Sequence, residues 1–229
     1  MRALGIAAIC LLLAACSDEG ANPILARGVE AVTTKVRPEE DSPAERPAPR
    51  VLTRADIEAT GAAAIRVRLV EGGTSGSVFY GAVENGGVVS YVTPLREIVG
   101  MRGSQVVSTR GLGTDLLRSW SSPDDPLARP VPPEAWPAEV TRTYEFPGDG
   151  PRGEIREFVC RFTAGPERTI TILERQHHGV EMRETCTGPA GSFENLHIAD
   201  RETGFVWHSY QWTGPKQGLV DVAIIEPAD

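Results

Sequence analysis

The chain has 229 residues, a formal net charge of −8 and 41% hydrophobic residues, and of its 23 basic side chains only Lys35 and Lys216 are lysines. An acidic chain without a basic tract excludes nucleic acid as a partner, because neutralising phosphates drives that affinity. The length fits one domain with a sizeable core.

The N-terminus, MRALGIAAICLLLAACSDEG, carries Arg2, then an apolar run from Ala3 to Ala15, then Cys16 and an abruptly polar stretch. At about a dozen residues the run is too short to cross roughly 30 Å of hydrocarbon as a stable helix, and the small residues before Cys16 suit processing. Leu13-Ala14-Ala15-Cys16 has the form of a bacterial lipobox, in which the cysteine thiol is diacylated, the signal is cut before it and the new α-amine takes a further acyl chain such as palmitate. Residues 1–15 therefore read as a lipoprotein signal peptide and Cys16 as the lipidation site. Each buried acyl methylene contributes about 0.8 kcal/mol, so several chains hold a protein on a membrane without a spanning segment. Ser17 rather than Asp follows the cysteine, which points to the outer membrane, periplasmic face. No later stretch is apolar for long enough to span a bilayer, and the remainder is expected to be soluble.

Residues 16–50 end in VRPEEDSPAERPAPR, whose composition cannot bury enough surface to offset ordering entropy. This segment reads as a lipidated flexible tether with a reach of about 30–35 Å. Within it Asn22-Pro23 could start a short helix with Leu25, Val29, Val32 and Val36 on one side, weakened by Gly28.

The third segment, 51–229, reads as the folded domain. TRADIEATG opens it as a short helix, with Thr53 as N-cap, Asp56 in the first turn and Gly61 as the stop. About ten β-branched and aromatic runs follow, among them AIRVRLVE, SGSVFYGAVE, VVSYVTP, SQVVSTR, TRTYEFP, EIREFVCRF, RTITILER, FENLHIAD, FVWHSYQW and LVDVAIIE. Turn chemistry separates them at Asn85-Gly86-Gly87, Gly148-Asp149-Gly150, Ala164-Gly165-Pro166, His178-Gly179 and Thr203-Gly204. The pattern predicts an all-β, mainly antiparallel domain, barrel-like or sandwich, with one or two short N-terminal helices. Pro123 to Pro137 reads as a long surface loop dividing it.

Of four cysteines, Cys10 leaves with the signal and Cys16 takes the lipid. In an oxidising compartment the remaining Cys160 and Cys186 are read as a disulfide. A simple meander of EIREFVCRF, RTITILER and VEMRETC would set them about 9–10 Å apart, beyond the roughly 7 Å a disulfide tolerates. Either the third strand curls across or the connectivity is not that meander.

The residues give no catalytic centre. STRGLGTDLL has Gly111 and Gly113 after a strand but Leu116 where a dinucleotide fingerprint needs its third glycine, and no Gly-Lys-Ser/Thr follows. Gly73-Thr74-Ser75-Gly76 has the wrong spacing for a nucleophile elbow. His177 and His178 read as solvated loop residues. A hairpin closed symmetrically about Arg201–Gly204 would set His197 and His208 opposite one another, Cβ atoms about 5 Å apart. No third ligand is evident, so no metal or other cofactor is expected. Asp115, Asp124, Asp125, Glu194 and Asp200 read as a solvated acidic surface. Trp207, Tyr210 and Trp212 are candidate polysaccharide contacts, although aromatics on a strand more often join the core.

The lipobox at Cys16, STRGLGTDL, the Cys160…Cys186-Thr-Gly-Pro block, Phe193-Glu-Asn195 and QWTGP with Gly218 soon after resemble the YjbF/GfcB family, the group 4 capsule-type polysaccharide lipoproteins. The resemblance covers about Leu52 to Ile225. It implies a β-rich outer-membrane lipoprotein accessory to exopolysaccharide or capsule production and secretion, with no enzymatic activity. The implied neighbours are an outer-membrane β-barrel of the YjbH/GfcD type, a GfcC-like periplasmic protein and the polysaccharide itself. An alternative is a polysaccharide-binding or polysaccharide-modifying periplasmic protein. In either case the glycines of STRGLG serve backbone geometry at a strand exit.

Overall fold

The computed structural model describes residues 51–72, 76–148 and 153–228. The signal, Cys16, the tether, most of Gly73–Gly76 and the Asp149-Gly150 turn lie outside them. A compact unit runs from Val51 to Asp229. It opens with helix α1 (Arg54–Glu58), where Thr53 and Asp56 form the reciprocal capping box that the sequence signals. Twelve strands follow: β1 (Ala64–Leu69), β2 (Ser77–Asn85), β3 (Val88–Val92), β4 (Ile98–Arg102), β5 (Gln105–Arg110), β6 (Arg118–Ser121), β7 (Glu139–Phe146), β8 (Glu154–Ile172), β9 (Arg175–Gly188), β10 (Gly191–Asp200), β11 (Val206–Trp212) and β12 (Leu219–Glu226). β4 and β6, four or five residues long, are the two that the sequence reading does not resolve. Among the described residues no helix is long and apolar enough to cross a membrane.

The strands form one antiparallel sheet in which chain neighbours pair throughout, except β5 with β6, and β1 pairs β12. The result is an up-and-down, nearly closed barrel whose seam lies between β5 and β6 rather than at the chain ends. The expected all-β, barrel-like class is what is seen. Alternation aims Ile65, Val67, Phe79, Tyr91, Val99, Val220, Val222 and Ile224 into one core cluster. Tyr144, Phe146, Phe158, Phe193 and Trp212 fill a second, aromatic one. α1 and the distal end of the β8–β9 hairpin lie on the outer face of β1, β2 and β12, where Ile57, Ala64, Ile172, Ala223 and Ile225 are buried together. Buried Arg54 fastens them by donating to the carbonyls of Ile172, Leu173 and Ile225.

Four expectations are corrected. Ala164-Gly165-Pro166 is not a turn: it is a bulge inside the 19-residue β8, where a proline without an N–H is tolerated. EIREFVCRF and RTITILER are therefore one strand, β9 is its direct neighbour, and Cys160 faces Cys186 with Cα atoms 3.9 Å apart and the disulfide formed. The reversal falls instead at Leu173-Glu174, both with positive φ (42° and 72°) and neither a glycine. His178-Gly179 likewise lies within β9, and His177 is buried against Trp207, ring centroids 4.1 Å apart.

The other two concern the β10–β11 hairpin and the proline-rich segment. A bulge after Ile198 shifts the hairpin by one residue, so His197 pairs Ser209, His208 pairs Ile198, and the two histidines are not opposite. The segment 122–138 is anchored inward at one part: Asp125 and Leu127 are buried, and Leu127 packs with Met182, Ala199 and Val206. The Leu127 carbonyl accepts from Ser104 N–H at 2.8 Å. Gly204 meets the same segment so closely that a Cβ there would lie 1.7 Å from the Val131 carbonyl oxygen.

Candidate functional site

The two glycine-bearing motifs singled out in sequence dock on each other. STRGLGTDL leaves β5 and enters β6; its Gly111 N–H donates to Asp115 Oδ2 at 3.2 Å, and Leu116 N–H to Thr109 Oγ1 at 2.9 Å. Thr114 N–H donates at 3.1 Å to Oε1 of Gln217, from the QWTGPKQG segment between β11 and β12. Gly113 has φ of 123°, and a Cβ on it would sit 2.7 Å from that same oxygen. The Gly111, Thr114 and Leu116 amides are thus engaged within the fold, and the motif acts as a clasp over one end of the seam.

Behind the clasp the barrel holds a buried charged chain. The guanidinium of Arg142 donates from Nε to Glu184 Oε1 at 2.5 Å and from Nη1 and Nη2 to the two oxygens of Asp125. Glu184 Oε2 accepts from Asn195 Nδ2 at 2.8 Å and meets His197 Nε2 at 3.0 Å. All four ionisable groups are at most 1% exposed. Burial alone would raise the Glu184 carboxyl, but Arg142, His197 and Asn195 outweigh it and hold the group at about 2. Burial raises the neighbouring Tyr144 phenol well above its ordinary value. The sulfurs of Cys160 and Cys186 lie within 4.8 Å of a Glu184 oxygen, but they are bonded to each other and the carboxylate is taken by Arg142. The arrangement is an internal brace, closed to substrate, and neither Arg142 nor Glu184 was singled out in sequence. Asp125, expected on the surface, is instead fully buried within it.

The three candidate polysaccharide contacts separate. Trp212 stacks on Phe193, centroids 4.3 Å apart, within the aromatic cluster. Trp207 packs between Phe205 and His177. Tyr210 lies on the outer face, paired in register with Leu196 and Asp221. Of the tryptophans outside β11, Trp136 packs edge-on to Phe162, and Trp120 is exposed beneath the Arg118 guanidinium. Cys16 lies outside the described residues.

A family model described as group 4 capsule polysaccharide lipoprotein gfcB, YjbF matches residues 30–225. Among solved structures, the crystal structure of the hypothetical lipoprotein YmcC from Escherichia coli (K12) is similar at a TM-score of 0.65 and 16% identity, covering 93% of this chain and 100% of that one. That likeness is one of fold. No curated protein matches.

Proposed function

Because the chain belongs to the YjbF family of group 4 capsule polysaccharide lipoproteins, we propose that it is a non-enzymatic accessory of exopolysaccharide or capsule secretion. In this reading triacylated Cys16 holds it on the periplasmic face of the outer membrane. The tether lets the β-domain lean on an outer-membrane β-barrel exporter of the YjbH/GfcD type, beside a GfcC-like periplasmic protein.

The observation that carries the reading is the sequence Leu13-Ala14-Ala15-Cys16 ahead of a compact unit that runs from Val51 to Asp229. Anchoring and folding are thereby separable tasks. The interior supports a non-enzymatic role, since its charged groups are closed into one another.

The test is the amount of surface and secreted polysaccharide in a deletion strain complemented with wild type or with Cys16→Ala. The expected outcome is loss of polymer restored only by wild type, with the variant chain moving from membranes to the soluble fraction. Polymer unchanged on deletion, under conditions where the protein is made, would overturn the reading. In the wild-type strain, cross-linking from the β-domain is expected to recover the barrel exporter.

A further inference from the structure

The register of five strands sets one row of side chains on the outer face: Arg68 on β1, Asp221 on β12, Tyr210 on β11, Leu196 on β10 and Arg183 on β9. Four inter-strand spacings make that row about 19 Å long. Its first half is a preorganised polar group. Arg68 donates from Nε and Nη2 to Asp221 Oδ2 at 3.0 and 2.6 Å, and His208, on the adjoining row, meets Asp221 Oδ1 at 2.8 Å. The His208 ring stands edge-on to the Tyr210 ring with centroids 5.0 Å apart. The carboxylate is 4% exposed, whereas Arg68 is 36% and His208 18% exposed.

This combination suits a particular chemistry. A sugar presents vicinal hydroxyls, each of which donates and accepts, and one face of C–H groups. The carboxylate is used up in fixing the guanidinium, whose remaining N–H groups are donors for a ligand, while the tyrosine beside them supplies a hydroxyl that donates and accepts and a ring as the apolar platform. The charges on the row are balanced, Arg68 by Asp221 and Arg183 by Glu194 at 3.2 Å. A hydroxyl-rich ligand therefore fits better than a strongly anionic one. We propose that this row, centred on Tyr210 and the Arg68–Asp221 pair, is a carbohydrate-binding surface that takes a short run of polysaccharide laid across β1, β12, β11 and β10. It rests on the polysaccharide reading above and relocates the contact: of Trp207, Tyr210 and Trp212, Tyr210 alone serves, joined by Arg68 and His208.

The test uses the full lipidated chain in detergent micelles, titrated calorimetrically with short oligosaccharides released by partial hydrolysis of the same cells' surface polysaccharide. Tyr210→Ala and Arg68→Gln are each expected to weaken binding roughly tenfold or more, and Tyr210→Phe, which keeps the ring, by no more than about threefold. Trp120→Ala, on a distant part of the outer face, should leave affinity unchanged. Affinity should also vary little with salt, because the row is balanced. Arg68→Gln can disturb the buried Asp221, so Tyr210→Ala is the deciding variant and its thermal unfolding is checked alongside.

No binding by wild type, or binding that Tyr210→Ala leaves intact, would overturn the proposal. The secretion reading is judged separately by the deletion strain. Polymer lost on deletion without oligosaccharide binding sinks only this surface, and binding lost in Tyr210→Ala with polymer unaffected by deletion sinks only the secretion role.

Discussion

Arg142 serves two carboxylates inside the barrel, and the cost of disturbing it is asymmetric. Removing the guanidinium leaves Asp125 and Glu184 buried and uncompensated, so Arg142→Met should destabilise the fold by roughly 3–5 kcal/mol in urea unfolding. Replacing all three by apolar side chains of similar volume should recover only part of that loss, because desolvation of the ions then disappears but Asn195, His197 and the Leu127 N–H lose their acceptors. The same network sets an acid limit. The Glu184 carboxyl is held at about 2 in the fold, below its ordinary 4.5. Its contribution is complete above the unfolded value and fades as pH falls from about 4.5 towards 2. Urea midpoints should decline across that window, and Glu184→Gln should flatten the decline while lowering stability near neutrality. Asp221 and Asp200 are also depressed and add to the slope in the same direction. A signal for this network does exist in the sequence. Val140-x-Arg142-x-Tyr144, Met182-x-Glu184-x-Cys186 and Phe193-x-Asn195-x-His197 each put a polar residue in the apolar phase of a strand. Three such violations on strands that pair as β7–β8–β9–β10 mark a buried network, but which of them meet is decided by register, which one-residue bulges change.

At the scale of elements, strands were legible from alternation, while their ends were legible only where glycine marked them. Gly86-Gly87 turns β2 into β3 with φ of 59° and 77°, as Asn85-Gly86-Gly87 announces. Leu173-Glu174 makes the same kind of reversal without a glycine, whereas Gly165-Pro166 and His178-Gly179, which do look like turns, are absorbed within long strands. The side-chain packing of Ile170, Ile172 and Leu173 onto α1 and β12 fixes the hairpin tip in spite of its local backbone preference. Strain is the residue of that compromise, and it is removable. Glu174 is exposed with φ of 72°, so Glu174→Gly should stabilise the domain by about 1 kcal/mol, read as a raised Tm at unchanged secondary structure. Leu173→Gly should do the reverse, since Leu173 also packs against the outer-face cluster.

The molecule as a whole has to close a meander whose end strands, β5 and β6, do not form a ladder with each other. Unpaired strand edges are sites of wrong association, and here edge groups are met by side chains and by the Thr109 N–H, which donates to the Leu116 carbonyl at 2.9 Å. The Ser119 hydroxyl donates to the Val106 carbonyl at 3.1 Å. Gln211, buried on β11, reaches β5: its Oε1 accepts from Val106 N–H at 2.9 Å, and its Nε2 donates to the Ser104 carbonyl at 2.7 Å. One amide side chain thus holds the β5 side of the seam from β11, which sequence spacing could not disclose because 105 residues separate Val106 from Gln211. Gln211→Leu keeps the apolar volume but leaves a buried N–H and a buried carbonyl without that partner, at about 1–3 kcal/mol for each. The loss should be local before it is global. Hydrogen exchange is expected to quicken over 104–110 and 114–121, where the seam and its clasp lie, while β8, β9 and β10 retain their protection. Equal acceleration throughout the barrel would instead mean that the seam opens only with the whole fold, and that Gln211 contributes to global stability rather than to holding one edge shut.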